Sequence, residues 1–418
     1  MNYDCDVAII GAGPAGIAAA CCASECGRRV IIIDDNPIAG GQIWRGGAPT
    51  RQAAQWRDRL AAARVTILSM HTVIAICGKT VRAEAEDDVS AIRFQKLILC
   101  TGSRELFLPF PGWTLPGVMG VGGIQAMVKS GLSVKGKRII VAGSGPLLLA
   151  VAAHLRRKTG AEVLLLAEQT PMAKVLRLGA SLLASPGKLA QAVKLKWQLR
   201  GIRTTFNAWP TEAVRRGRGL AVMMRIGRRS ETMECDYLAT GFGLVPSTEI
   251  AQLCNCACDN AGFVVVDSSQ RTSSPDVLAA GEITGIGGVE KSIIEGQIAG
   301  FTAAGRTERI GRLLGAREHA YGFMRRLNDA YSLRQEVLRL ADPGTVICRC
   351  EDVRLADLAS QSSAREARLQ TRCGMGPCQG RICGAILRAS MNWRDESIRP
   401  PASPVRLASL AVPPAADI

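Results

Sequence analysis

Five cysteines crowd one stretch near the carboxy end: Cys348 and Cys350 in ICRC, then Cys373, Cys378 and Cys383 in TRCGMGPCQGRICG. Thiolates in such numbers can hold zinc, hold an iron–sulfur cluster, close disulfides or fill a core. Zinc usually takes paired CxxC knuckles, whereas a CxC followed by a distant second pair suits an iron–sulfur cluster at least as well. Soft sulfur ligands favour either metal, so spacing alone decides weakly. Gly374, Gly376 and Gly380 let backbone N–H groups turn toward the sulfurs, a hydrogen-bonding arrangement that tunes reduction potential. The amino terminus, MNYDCDVAIIGAG, lacks the basic and apolar regions of a secretory signal. A reducing interior is therefore expected, and there a chain with fifteen cysteines is better read as metal-binding or buried than as disulfide-linked.

A second kind of chemistry is written in glycine. CDVAII is a strand-type run that flows into GAGPAG, then the small-residue helix pattern IAAACCASECG, then RRVIIIDD. Gly11, Gly13 and Gly16 fit GxGxxG: the first permits a tight turn, the second lets backbone approach a pyrophosphate, and the third lets helix pack on strand. Pro14 and Ala15 open the helix, whose free N–H groups and positive dipole end face the phosphates. Asp34, followed by Asp35, ends the second strand where a carboxylate can accept from a ribose diol. A similar unit begins at KGKRIIVAGSGPLLLAVAAHL, with Gly143 and Gly145 in the turn and Glu168 ending VLLLAE. Leu148 replaces its third glycine, so the fold is repeated while its ligand stays open between a nicotinamide nucleotide and none. No Arg or Lys follows Glu168, which favours NAD over NADP if either binds.

Other reactive side chains have bland readings. The sequence contains no CxxC, so a dithiol relay of the thioredoxin-reductase kind has no material. Cys254, Cys256 and Cys258 alternate, which on a strand would point all three sulfurs one way; burial as small residues is the simpler expectation. Cys21 and Cys22 are expected in the core of the first helix. His71, His154 and His319 are the only histidines, too few for a His-rich metal site or a hydrolase.

These elements sit in a chain of 418 residues, 47% hydrophobic, long enough for several domains. Its net charge of +16 allows an anionic ligand or acidic partner. The basic residues are scattered and aromatics reach only 4%, against nucleic-acid binding. No apolar run approaches the ~18 residues of a membrane span. Residues 306–345 alternate apolar and basic side chains at helical spacing and end at Asp342-Pro343-Gly344, reading as a basic helical linker with a solvated charged face. A small final domain over 346–395 and a tail over 396–418 complete the division. Before them, 1–105 with 240–305 form one dinucleotide-binding domain and 106–239 the other.

Thr101-Gly102 ends the strand of KLILCTGSRE, and VLAAGEITGIGG carries Gly281 and Glu282. With GxGxxG these marks resemble the flavoprotein disulfide reductase superfamily, an α/β class with two Rossmann-like dinucleotide-binding domains. The resemblance implies FAD, with Gly11, Gly13 and Gly16 at its pyrophosphate and Asp34 at the adenosine ribose. Gly281 and Glu282 would lie toward the ribityl phosphate, and Gly40, Gly41 and Gln42 toward the flavin. ICRCEDV with TRCGMGPCQGRICG, together with RELFLPFPGWTLPGVMGVGG and RPPASPVRLASLA, is similar to the α subunits of heteromeric amine dehydrogenases. That group includes opine oxidases, D-hydroxyproline and L-proline dehydrogenases and hydrogen cyanide synthase, and ends in a small cysteine-rich 2Fe-2S domain of the bacterioferritin-associated ferredoxin type. The resemblance carries over Cys348, Cys350, Cys378 and Cys383 as cluster ligands and leaves Cys373 spare.

The family implies a division of labour. A D-amino-acid-oxidase-like β subunit would oxidise an opine, hydroxyproline or proline-like amine, and a small iron–sulfur γ subunit could join the complex. This chain would contribute FAD and the 2Fe-2S cluster as electron carriers; no catalytic side chain of its own is assigned. A cytoplasmic location is expected, any association with the inner face of the membrane running through partners. The rival readings are a stand-alone NAD(P)H-dependent FAD reductase and a non-catalytic assembly subunit.

Overall fold

The computed structural model describes residues 1–45, 50–86, 88–182, 186–394 and 398–411. Of the expected tail, residues 396–397 and 412–418 lie outside that set. The chain forms two compact units, Met1–Arg104 with Val245–Arg325 and the tail, and Glu105–Leu244 with Arg326–Asp395.

In the first unit the apolar runs become a five-stranded parallel sheet, in the order Val277–Ala279, Lys96–Leu99, Val7–Ile10, Val30–Ile33, Val65–Leu68. VAII and VIII are buried at every position, as strands covered on both faces must be. The helix Pro14–Glu25 follows the first of these, with proline at a position whose N–H would have no helical partner anyway. Against it packs Gly288–Ala303, and glycine sets how near they come. A Cβ on Gly296 would stand 2.2 Å from the Ala15 carbonyl oxygen, and one on Gly300 would stand 2.4 Å from that of Ala19. A second sheet joins Asn2–Asp4, Val89–Arg93, Thr80–Glu84 and Thr72–Cys77. The described tail belongs here too: Ala402 donates its N–H to the Ile74 carbonyl, and Ser409 hydrogen-bonds Glu84.

The second unit repeats the plan. Its parallel sheet runs Val118–Gly120, Tyr237–Gly241, Arg138–Gly143, Glu162–Glu168, Thr204–Phe206, with an antiparallel sheet of three strands following. Glu105 caps the glycine-rich start of the helix Val121–Lys129, accepting from the N–H groups of Gly122 (2.7 Å) and Gly123 (3.0 Å). That capping explains the spacing between RELF and GVGG, since a carboxylate stabilises a helix amino terminus. The cysteine-rich segment shares this unit's core. Ile347, Cys348, Val353, Ile386 and Leu387 pack in one cluster with Phe110, Trp113 and Leu238, and the Trp113 indole N–H donates to the Val346 carbonyl at 2.7 Å.

One sequence expectation differs from what folds. In the 306–345 region the helix Gly311–Ala330 carries exposed arginines, but Arg317 is buried, donating to Gln270 Oε1 at 3.0 Å and to the Asp267 carbonyl. Its charge faces protein, not water. The cysteines of CNCAC do not share a strand face: Cys254 ends the short helix Glu249–Leu253 and Asn255 turns the chain with φ of +55°. Cys254 and Cys256 are nevertheless core residues, as are Cys21 and Cys22.

Candidate cofactor sites

The thiols of the second unit are gathered by a hairpin, a helix and a glycine-rich loop. Val346–Cys348 pairs with Val353–Arg354 and brings Cys348 and Cys350 to its end. Ser363 caps the helix Ala364–Thr371 by accepting from the Glu366 N–H. Arg372 then ends it with φ of +63°, sending the chain into the loop of Cys373 and Cys378. Cys383 begins the helix Cys383–Met391. The sulfurs of Cys348, Cys373 and Cys383, all buried, lie within 4.8 Å of one another. Cys350 and Cys378 form a second pair whose side chains hydrogen-bond.

Cys350 feels the charge of Cys348, and Cys383 feels that of Cys378, while Cys383 interacts most strongly with Cys373. Burial holds the Cys348 thiol above its ordinary pKa, opposed by the Gly374 N–H. Burial also acts on Cys378, but the Ile382 N–H, the Cys350 thiol and the Gly380 and Arg381 N–H groups outweigh it and hold that thiol below its ordinary value. Gly376 makes room instead of donating, since a Cβ there would fall 2.2 Å from that of Cys350. Three buried soft donors that meet, with Cys350 and Cys378 as further thiols and backbone N–H groups donating to Cys348 and Cys378, fit an iron–sulfur cluster.

The first glycine loop is an open cradle. Gly11, at φ of +103°, lies so near the Cys100 carbonyl that a Cβ would stand 2.3 Å from its oxygen, and a Cβ on Gly16 would reach the Gly11 oxygen at 1.9 Å. Nothing lies within 4 Å of where a Cβ on Gly13 would point, which leaves room for a pyrophosphate. Asp34 is buried and accepts from the N–H groups of Ala12 (2.5 Å) and Asn36 (2.8 Å), while Asp35 accepts from the Asn36 amide. Gly41 passes close enough that its Cβ would meet the Gly13 Cα at 3.0 Å; beside it the Gln42 side chain accepts from Arg45. Thr101 donates to the Ser247 carbonyl, Gly102 turns with φ of +69°, and Glu282 accepts from Ser103 at 2.6 Å. Gly281 stands against Ala15, whose Cβ would be 2.9 Å from one added there. This set fits FAD by its open Gly13 cradle and buried ribose-side acid.

Sequence reasoning missed the charged network behind Gly281. Lys291 and Glu295 are fully buried one helical turn apart, joined at 2.8 Å. All three ammonium donors of Lys291 are used, on the Gly281 carbonyl, Thr284 and Glu295, each at 2.8 Å. Glu295 also accepts from the Gly281 N–H and from the Tyr321 hydroxyl. Burial pulls the Lys291 pKa down against the pull of Glu295. No local spacing announced this group, because Tyr321 arrives from a separate helix.

The second loop is built otherwise. Gly143 repeats the close approach, with a Cβ 1.9 Å from the Gly241 oxygen. Gly145, however, has φ of +98° where Gly13 has −75°, and its N–H donates to Glu168 at 2.8 Å. Burial raises the Glu168 pKa, opposed by the Thr170 and Gly145 N–H groups. Leu148 is buried among Val121, Val141 and Val151. A surface hollow of about 600 Å³ in this unit is lined by residues including Met172, Thr205, Phe206, Asn207 and Arg334.

Among the described residues no helix is long and apolar enough to cross a membrane. The chain is 30% identical to an opine oxidase subunit from Rhizobium meliloti over 97% of its own length and 87% of that protein's. It is 28% identical to hydrogen cyanide synthase subunit HcnB from Pseudomonas protegens, over 90% and 89% of the two chains. The fold matches a solved L-proline dehydrogenase from P. horikoshii with a TM-score of 0.67 at 17% identity, covering 98% of this chain and 80% of that one. A thioredoxin reductase from T. acidophilum matches with a TM-score of 0.57 at 23% identity over 73% of this chain and 99% of the other. Residues 5–338 match the family described as pyridine nucleotide-disulphide oxidoreductase. Two repeated dinucleotide folds, an open GxGxxG cradle and this match together place the chain in that family, as an oxidoreductase of the FAD-dependent kind.

Proposed function

We propose that this chain is the FAD- and 2Fe-2S-bearing subunit of a multi-subunit enzyme that oxidises an opine, proline-like or hydroxyproline-like amine. The observation that carries the reading is the reach of the similarity. The family match ends at residue 338, whereas likeness to the opine oxidase subunit covers 97% of the chain, and the five cysteines lie beyond that end. When bound, FAD accepts electrons as a pair and releases them singly, and a cluster carries one at a time. Zinc would offer no redox chemistry.

The amine carbon is oxidised on a D-amino-acid-oxidase-like partner, where loss of one C–H and one N–H hydrogen yields an imine, two electrons and two protons. The electrons pass to this chain, and a small iron–sulfur subunit can complete the relay. In support, the buried Lys291, Glu295 and Tyr321 beside Gly281 are engaged with one another or with backbone. Gly11, Gly13, Pro14, Ala15, Gly16, Asp34, Asp35, Gly41, Gln42, Thr101, Gly102, Gly281 and Glu282 hold and orient the dinucleotide. Cys348, Cys350, Cys378 and Cys383 would hold the cluster, with Cys373 packed beside Cys383.

Purification from the native host tests this. Flavin absorbance, a reducible cluster signal by electron-spin resonance and a co-purifying amine-oxidase-like chain are expected. A lone chain that oxidises amines without a partner would overturn the division of labour.

A further inference from the structure

The family to which the chain belongs takes its name from pyridine nucleotides, and its second dinucleotide fold is where one would be sought. The residues there do not fit one. We propose that the glycine loop of this fold is closed by the chain's own segment Tyr331–Arg334 and that no nicotinamide nucleotide binds it.

Four contacts make the closure. Ser144, the middle residue of the GSG turn, donates its hydroxyl to the Tyr331 carbonyl at 3.2 Å. The fully buried Gln169 donates to the Ser332 carbonyl at 3.2 Å and accepts from the Arg334 N–H at 3.3 Å. Lys174 donates to the Ser332 hydroxyl at 3.1 Å. The Tyr331 ring lies over the turn, 4.0 Å from where a Cβ on Gly145 would stand, whereas the same position on Gly13 in the first fold is open. Burial and the nearby Glu168 charge raise the Tyr331 hydroxyl to about 12, in keeping with its enclosure. Downstream, the Arg334 guanidinium stacks over Trp209 at 5.1 Å and hydrogen-bonds Asn207, anchoring the far end of the segment.

The loop beneath is altered as well as covered. In a phosphate-binding turn the second glycine offers bare backbone to the pyrophosphate. Here the Gly145 N–H is spent on Glu168, the acid that would otherwise face a ribose, and Leu148 stands in place of the third glycine. A ligand would have to displace the segment first, and apparent affinity falls by the fraction of molecules that are open. Electrons therefore reach this chain from a source other than NADH or NADPH.

The test is an anaerobic titration of the FAD-loaded full-length chain with NADH and then NADPH. It follows energy transfer to the nicotinamide, flavin absorbance and hydrogen exchange of peptides covering 143–150 and 331–334. Expected are no saturable transfer, no new protection at 143–150 and no flavin bleaching. The Arg334 amide, bonded to Gln169, should exchange slowly before any nucleotide is added. The double variant Tyr331→Gly/Ser332→Gly should bind NADH at least about tenfold more tightly than wild type. Saturable binding by wild type with protection at 143–150 would overturn the proposal. Fast exchange at Arg334 in the free protein would also overturn it, and requires no variant. A folded double variant that binds no better than wild type would show that the segment is not what closes the site. None of these outcomes bears on amine oxidation by the complex, so this inference and the proposed function fail separately.

Discussion

At Gly376 the chain has no room for a single carbon, because Cys350 fills the space. Gly376→Ala should displace Cys350, cutting iron per chain severalfold while flavin absorbance stays; metal analysis beside a visible spectrum reads both. Cys378→Ala should abolish the cluster signal, whereas Cys373→Ala should leave it intact, since Cys373 is not one of the four proposed ligands. Loss of the signal in Cys373→Ala would replace one of the four proposed ligands with Cys373, which sits within 4.8 Å of Cys348 and Cys383. Away from the sites, Asp276 is held at about 2, first by its hydrogen bond to Lys79 and then by Lys96. A lowered carboxylate pKa adds stability above the ordinary range near 4 and loses it as pH falls through about 2. Asp276→Asn, which also tolerates the φ of +63°, should therefore cost about 1 kcal/mol near neutrality after solvent screening, and nothing near pH 2. Urea unfolding at the two pH values measures it.

Among the elements, the first strand–turn–helix was legible because every requirement is local: an apolar run, three glycines, a proline and an acid within one short stretch. The crossing of Pro14–Glu25 with Gly288–Ala303 was not, since Gly296 and Ala15 meet only in the fold. Gly296→Ala should lower the melting temperature markedly, because its Cβ would strike backbone that cannot yield, and overpacking of this kind costs roughly 1–3 kcal/mol or more. Lys291 carries no mark in the sequence that sets it apart from other helical lysines, and only burial turns it into half of an internal ion pair. Lys291→Met leaves Glu295 without its cation and should cost about 3–5 kcal/mol, seen in chemical denaturation. In CNCAC the left-handed turn at Asn255 keeps the alternate cysteines from sharing one strand face, and the burial of Cys254 and Cys256 followed from residue type alone. Arg317 shows the opposite limit: helical periodicity gave the helix, while its buried partners come from distant chain.

Across the whole molecule, the repeat of two dinucleotide folds was visible in the repeat of glycine motifs, and Leu148 was the one local sign that they differ. What closes the second fold could not be read from sequence, because Tyr331 lies far along the chain from Gly145 and no motif joins them. The cysteine-rich segment was legible as a metal-type site by count and spacing, but its shared core with Phe110 and Trp113 depended on tertiary packing. The proposed function rests on one claim, that the chain carries FAD and a cluster and receives electrons from a partner that oxidises the amine. The most direct test adds a proline-, hydroxyproline- or opine-type amine anaerobically to the purified chain alone, then to the chain with its co-purified partner, recording visible and electron-spin spectra. The account predicts that the chain alone shows oxidised flavin and a chemically reducible cluster that the amine leaves unchanged, and that both become reduced once the partner is present. Reduction by the amine without the partner, or a chain with no cluster signal in any state, would contradict it.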